Sequence, residues 1–529
     1  MDDESQQEEG HVRLDGKVLV KVKNGKDVEV GKAICLDRFE GNLDTGKVTA
    51  FFTFVFDRKW RPASLPMGQF TEQGIMGLRD FGATVTGENR HDVWLYLQEQ
   101  EKQTAVLWKH HNLGWFNSAS GTSFLHAAGI GVSSQYAGRY SLGPAGTADE
   151  WRELIDKQVH GRPMMELMLA VGCSSALIHP LENLSNLKGL LVHCWGDSSK
   201  GKTTGTQVAL SVWGYPETGS NGLLRTWNAT ENALVASLRG NWGVAIGFDE
   251  ASMCRVSDFS SLIYTLAEGQ EKARLDDQSN FQASGEWRTT VLSTGEFSLL
   301  ERASGNTGLR VRMLEIGNRQ WTDDAAHADI LKDGLRRHYG HAGPKIAEFL
   351  RKANWGKIHA VWAKWKSKAV KTLPSNPFSD RIAGKVAVVL TAAVVANKVL
   401  DLSLDVMTML DTLVSLEMEN PTESVDDRAY EAFQQWVSQH PHTFRSNGTA
   451  RQNGCIDGGF VYVLPIAFQS IIGELGFASP LGILTAWKKK KRLKADKGKK
   501  TVKKVLDSGG GRVSTYAIRL EMPESVDAP

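Results

Sequence analysis

The stretch Leu190 to Gly214, LLVHCWGDSSKGKTTGTQVALSVWG, decides the fold class. Leu190-Leu191-Val192-His193-Cys194 is a short apolar run bounded by glycine on both sides, which predicts a buried strand. Gly196-Asp197-Ser198-Ser199-Lys200-Gly201-Lys202-Thr203 then fits G-x-x-x-x-G-K-[ST], and Thr203-Thr204 opens a predicted helix. Small residues in such a turn let successive backbone N–H groups curl around the α- and β-phosphates of a nucleotide at a helix N-terminus. Lys202 then reaches the β- and γ-phosphates, and Thr203 sets its hydroxyl on Mg²⁺. An α/β P-loop NTPase core follows, with ATP and Mg²⁺ as its ligands and Gly196 to Thr204 as the nucleotide-binding segment.

Further elements of the same chemistry lie downstream. Val244-Ala245-Ile246-Gly247-Phe248-Asp249-Glu250 is an apolar run ending in two acids, as expected of a buried parallel strand whose C-terminal end faces a ligand crevice. Asp249 is the expected second Mg²⁺ holder, and Glu250 the group that polarises the attacking water. A third strand is predicted over Thr289 to Glu296, with Ser293 and Thr294 as alternative sensors of the γ-phosphate. A fourth is predicted over Gly308 to Ile316, with Arg310 and Arg312 on one side by period two. Either arginine could act as a finger on a neighbouring subunit's nucleotide.

The rest of the chain frames this core. With 529 residues, 41% hydrophobic, 52 Gly and 15 Pro, the composition is globular, and the length implies several domains. Five scattered cysteines without a C-x-x-C pair suggest neither a disulfide framework nor a zinc knuckle. The N-terminus MDDESQQEEG has no apolar segment of a secretory signal, and the longest apolar run, Val386 to Ala396, is short for a bilayer. A cytoplasmic protein with no membrane partner is expected. Alternation from Val18 to Phe56 predicts hairpins, helical stretches are predicted near Glu72 to Phe81 and Asp92 to Gln103, and Ser118 to Gly146 reads as a loop. Helical periodicity resumes beyond Asp324 and continues for a long block.

Taken in order, GDSSKGKTT, TWNATENAL, VAIGFDEA, YTLAEGQEKARLD, WRTTVLSTGE and LRVRMLEI resemble a phage- and mobile-element-borne helicase-like family of unknown function. That family is itself similar to superfamily-3 helicases and phage primase-helicases within the AAA+ class, and Gly114-Trp115 resembles its N-terminal Gly-Trp. The resemblance implies a homohexameric ring that hydrolyses ATP at subunit interfaces and moves on DNA during replication of a mobile element, with other replication proteins as partners. Carried over, Lys202 and Thr203 match Walker A, Asp249 and Glu250 match Walker B, and Arg312 is the better match for the arginine before the apolar strand. Lys272 and Arg274 match a basic pair before a hairpin that faces the pore in related proteins. Here that hairpin would turn near Asp276 to Ser279, an acidic tip. Superfamily-3 sensor strands usually end in Asn, whereas this one reads Ser293-Thr294-Gly295-Glu296. Arg381 is a candidate second sensor.

Between Lys488 and Lys504 there are eleven Lys or Arg and one acid, Asp496. The surrounding pattern resembles a winged helix, with Lys488, Lys489, Lys490, Lys491 and Arg492 at a helix end and Lys497, Lys499 and Lys500 in a wing. Lysine in place of arginine suits contact with DNA backbone, single-stranded or duplex, better than base reading. The expected organisation is an acidic tail (1–15), a β-rich domain (16–147), an ATPase core (148–345), a helical lid (346–445) and a winged-helix-like basic domain (446–529). A DNA helicase or translocase is the leading expectation. Its rivals are a nucleotide-switched DNA-binding module and an RNA- or protein-remodelling ATPase.

Overall fold

The computed structural model describes residues 10–118, 121–256, 259–273, 284–302, 307–419, 425–444, 453–477, 479–496, 499–506 and 511–520. At its centre is a five-stranded parallel sheet in the order Leu224–Thr226, Ile246–Asp249, Thr290–Gly295, Leu190–Trp195, Met313–Gly317. Strand Leu190–Trp195 is fully paired on both sides, so its run of apolar residues is buried and all strand C-termini point to one edge. Helices Pro163–Ile178 and Lys202–Ser211 pack together over this sheet, where Gly172 allows close approach to the backbone of Ala209. Helix Ala148–Gln158 precedes them, started by a capping box between Thr147 and Glu150.

Two expectations require correction. The stretch 308–312 is not strand: Thr307–Arg310 forms a helical turn and the strand begins at Met313. The two arginines therefore precede the edge strand instead of alternating along it. Nor is 118–146 simply loop, because Leu113–Ser118, Gly121–Leu125 and Gly129–Ile130 form an antiparallel sheet. That sheet continues by parallel pairing into Asn241–Trp242. Gly114, at φ +82°, lies so close to Trp242 that a Cβ would sit 2.1 Å from its carbonyl carbon. Trp115 donates its indole N–H to the carbonyl of Ala176, 2.8 Å away.

Buried side chains form three clusters. The first joins strands Ile34–Asn42, Val48–Phe56 and Lys59–Pro66 to helix Arg90–Glu101 through Phe39, Phe52, Phe54, Leu65, Val93 and Leu97. The second runs without a break from Leu113 to Leu416, so the central sheet and the helices Ala342–Lys352, Trp355–Thr372, Ser379–Leu400 and Val406–Glu419 share one core. The third holds helices Val425–Gln439, Pro465–Glu474 and Pro480–Lys489 against a small sheet ending in Val513–Arg519.

Among the described residues, Ser379–Leu400 alone is long and apolar enough to cross a membrane, but 78% of its most apolar 18-residue window is buried against protein. It also carries Lys385, which is 1% exposed. The Lys385 ammonium meets the Glu417 carboxylate at 2.6 Å and donates to the carbonyls of Met313 at 2.7 Å and Arg310 at 3.2 Å. This ion pair ties two helices to the start of the edge strand. Removing one partner of a buried pair strands the other charge in the interior. Lys385→Met is expected to lower unfolding free energy by about 3 to 5 kcal/mol in urea denaturation, and a loss below about 1 kcal/mol would show that the pair is not buried as described.

Candidate active site

The strand-to-helix turn at the edge of the central sheet is built by backbone constraint. Trp195 ends its strand, Gly196 takes φ +130° and Gly201 φ +85°, and helix Lys202–Ser211 begins at once. A Cβ on Gly196 would lie 2.7 Å from the Asn318 side chain, and one on Gly201 2.8 Å from that of Thr322. The chain at 318–322 thus backs the loop, with Asn318 N–H donating to Trp195 and Trp321 N–H to Lys200, each at 2.9 Å. Ser199 is also left-handed, at φ +64°. The result is a small-residue cradle whose exposed rim is Asp197, Ser198, Ser199 and Lys200.

Lys202 is buried, and its ammonium donates to the carbonyls of Gly196 at 2.8 Å and Asp197 at 2.6 Å. Thr203 donates its hydroxyl to Asp249 at 3.0 Å, and Thr294 donates to the same carboxylate oxygen at 2.6 Å. The Thr294 hydroxyl in turn accepts the Glu250 N–H at 2.9 Å. Glu250 has a left-handed backbone, φ +66°, and its carboxylate accepts the Ser252 hydroxyl. Two strand ends and the loop helix thereby converge on Asp249. A threonine hydroxyl beside a carboxylate at the mouth of the cradle is a hard-oxygen donor set of the kind Mg²⁺ takes. The residues present fit both a phosphate chain and that ion.

The other expected site residues are placed unequally. Ser293 is fully buried one residue behind the crevice, where its hydroxyl meets His193 Nδ1 at 2.9 Å and accepts the Trp227 indole N–H at 3.0 Å. Burial, and to a lesser degree the Lys202 ammonium, hold the His193 pKa down to about 4, so its ring is neutral at pH 7. Thr204 is buried at the start of the loop helix. A residue that sequence reasoning did not assign, Glu296, accepts the Ser198 hydroxyl at 2.7 Å across the cradle. Its only signal was its place just after strand Thr290–Gly295.

Arg312 sits at the far end of the sheet from the loop: its carbonyl accepts from Leu191 at the start of the central strand, while its guanidinium pairs with Glu268 at 2.8 Å and lies over Tyr264. Lys272 pairs with Glu231 at 2.9 Å. Arg274 and the expected tip Asp276 to Ser279 lie outside the described residues. Gln270 and Glu286, on either side of those residues, form an isolated antiparallel bridge.

In the C-terminal region the cations also divide. Lys490 pairs with Asp426 and Asp427, Arg492 pairs with Asp427 and covers Tyr430, and Lys488 donates to the carbonyl of Lys499. Lys500 folds back on Leu481 and Thr485 of helix Pro480–Lys489. Lys489, Lys491 and Lys499 are exposed and in no ion pair among the described residues. Lys499 and Lys500 precede strand Val502–Lys504, which pairs antiparallel with Val513–Arg519. Lys497 lies outside the described residues.

Residues 22–285, which carry the loop and the Asp249-Glu250 pair, match the family described as a domain of unknown function, DUF927. Over these residues the chain carries the DUF927 domain. Residues 424–523 of this DUF927 protein also match the Cch helix turn helix domain. Among solved structures it is similar to one described as SCCmec type IV Cch, an active helicase, at 24% identity and a TM-score of 0.78 over 98% of both chains. That likeness shows a shared fold along the whole chain. The C-terminal region of NrS-1 aligns at 10% identity over 91% of this chain and 96% of that one, with a TM-score of 0.28. A ligand-bound JCV helicase aligns at 15% identity over 45% and 71%, with a TM-score of 0.20. Neither overlay carries an argument. No curated protein matches the sequence.

Because Ser293 satisfies two buried ring nitrogens, Ser293→Ala is expected to cost about 1 to 3 kcal/mol of unfolding free energy. Nucleotide affinity, measured by titration calorimetry, is expected to change less than twofold relative to the native chain.

Proposed function

We propose that this chain is an ATP-dependent DNA helicase or translocase that serves replication of a phage or mobile element. The observation that carries the proposal is the Thr203–Asp249 hydrogen bond of 3.0 Å, which sets the loop helix against the acidic strand end at the rim of a backbone cradle. In this reading Gly196 to Thr204 bind the phosphates, and Lys202 leaves its two loop carbonyls for the β- and γ-phosphate oxygens. Mg²⁺, when held by Thr203 and Asp249, neutralises charge that builds on those oxygens during transfer. Thr294 keeps the Asp249 carboxylate turned toward the ion, and Glu250 takes a proton from the attacking water. Ser293 is assigned to packing and Thr294 to positioning.

Arg312 lies too far along the sheet to meet its own chain's nucleotide, which favours action on a neighbour in a ring, with Arg310 as the other candidate finger. The homohexamer is part of the proposal, as are the ATPase core, the helical lid over 346–445 and the winged-helix-like basic domain over 446–529. Lys272 and Arg274 are assigned to DNA in the pore. Lys489, Lys491 and Lys499 are assigned to DNA backbone outside it, with Lys488, Lys490, Arg492, Lys497 and Lys500 in support.

Steady-state ATP hydrolysis with and without single-stranded DNA tests the reading. Lys202→Ala is expected to lower turnover by about 100-fold, and Glu250→Gln to lower it by about 100-fold or more while nucleotide binding is retained. Thr294→Val is expected to raise the Mg²⁺ concentration for half-maximal turnover about tenfold through loss of one charged hydrogen bond. Turnover indifferent to DNA would move the assignment to a nucleotide-switched module, and turnover unaffected by Lys202→Ala would remove the nucleotide site.

A further inference from the structure

The N-terminal sheet ends in a hairpin whose tip is unlike its surroundings. Strands Val48–Phe56 and Lys59–Pro66 pair Phe56 with Lys59, Val55 with Trp60 and Phe54 with Arg61, which leaves Asp57 and Arg58 as a two-residue turn. Both turn residues are left-handed, at φ +47° and +62°, as a type I′ turn demands, yet neither is glycine. The Lys17 ammonium donates to the Arg58 carbonyl at 2.8 Å and braces the turn. Six consecutive residues, Phe56 to Arg61, are solvent-exposed. Trp60 is 44% exposed and Phe56 38%, with the Arg61 guanidinium 4.7 Å from the Phe56 ring centroid. Phe56 also lies against Gly82, beside Phe81, itself 51% exposed. Arg58, Lys59 and Arg61 make no ion pair among the described residues, against the one acid, Asp57, in the run.

Lys59–Pro66 is an edge strand, and cations with a proline there guard against edge-to-edge pairing. Guarding does not call for large aromatic rings in water, nor for arginine where glycine relieves the turn. Aromatic faces interleaved with unpaired cations are the chemistry that binds an unpaired nucleic-acid strand: bases stack on rings while phosphates meet guanidinium and ammonium groups. Successive residues of a strand face opposite ways, so Trp60 stands on one side of the hairpin and Phe56, Lys59 and Arg61 on the other. A duplex offers no free base faces to such a tip.

We propose that the hairpin tip Phe56 to Arg61 is a stacking site for single-stranded nucleic acid that crosses the tip, its bases on Trp60 on one side and its phosphates on Arg58 at the turn and on Lys59 and Arg61 on the other side. The proposal stands on the hairpin and does not depend on the reading of the nucleotide site. The test is binding of a labelled thymidine oligonucleotide of about twelve residues to the full-length chain without nucleotide, followed by fluorescence anisotropy over a salt series. A background with Lys488, Lys489, Lys490 and Lys491 changed to Ala removes C-terminal cations from the signal. Trp60→Ala is expected to weaken binding roughly fivefold or more at an unchanged salt slope, and Trp60→Phe to retain most of it. Changing Arg58, Lys59 and Arg61 together to Ala is expected to flatten the slope by roughly 0.7 for each phosphate that is no longer neutralised. A bromouracil-substituted strand is expected to photocrosslink within 56–61, and a matched uridine strand tells DNA from RNA as the bound species. Unchanged affinity in the aromatic and cationic variants with no crosslink in this segment would overturn the proposal. So would an equal loss on duplex and single strand.

Discussion

One carboxylate organises this molecule's chemistry. Asp249 accepts hydroxyls from Thr203, at the head of the loop helix, and from Thr294, on the neighbouring strand. The distances are short because the strands Ile246–Asp249 and Thr290–Gly295 are paired in parallel register and end together. A parallel sheet packed on both faces fixes that register strongly, since a one-residue slip would exchange the two faces and misfit every core side chain. The cradle, the acid pair and the position of Thr294 are thus consequences of a single packing arrangement.

Much of this was legible beforehand, for identifiable reasons. The central strands are short apolar runs ending in polar residues, a pattern expected of a buried parallel sheet, and the loop motif names its own neighbours. Where the sequence misled, local signals competed with tertiary ones. Gly308 to Ile316 alternates like a strand, yet Lys385 holds the carbonyls of Arg310 and Met313 and the chain turns before Met313. Ser118 to Gly146 is rich in Gly and Ser and reads as loop, yet Gly121–Leu125 and Gly129–Ile130 belong to a sheet whose further strand, Asn241–Trp242, lies far along the chain. Ser293 and Thr294 are adjacent hydroxyls that sequence cannot rank. Strand alternation sends one to His193 and Trp227 and the other to Asp249.

The basic tail shows a different limit. A count of lysines does not reveal that Lys490 and Arg492 are already paired with Asp426 and Asp427, acids more than sixty residues upstream. Such pairs are only partly exposed, and their worth to stability is modest. Their larger effect is to select which cations remain for a phosphate. Conversely, the Phe56 to Arg61 tip carries no motif, and its character emerges only from exposure and backbone conformation together.

The contact between Gly114 and Trp242 has a consequence for how this chain can be divided. Trp115, Phe124, Tyr140 and Leu142 belong to the same buried cluster as the central sheet. A fragment opening at residue 148 would uncover a socket that these rings fill, and would lose the indole bond to Ala176. The segment before the Gly196–Gly201 loop is therefore part of the same core, and any displacement of strand Asn241–Trp242 would be felt directly in the N-terminal part of the chain.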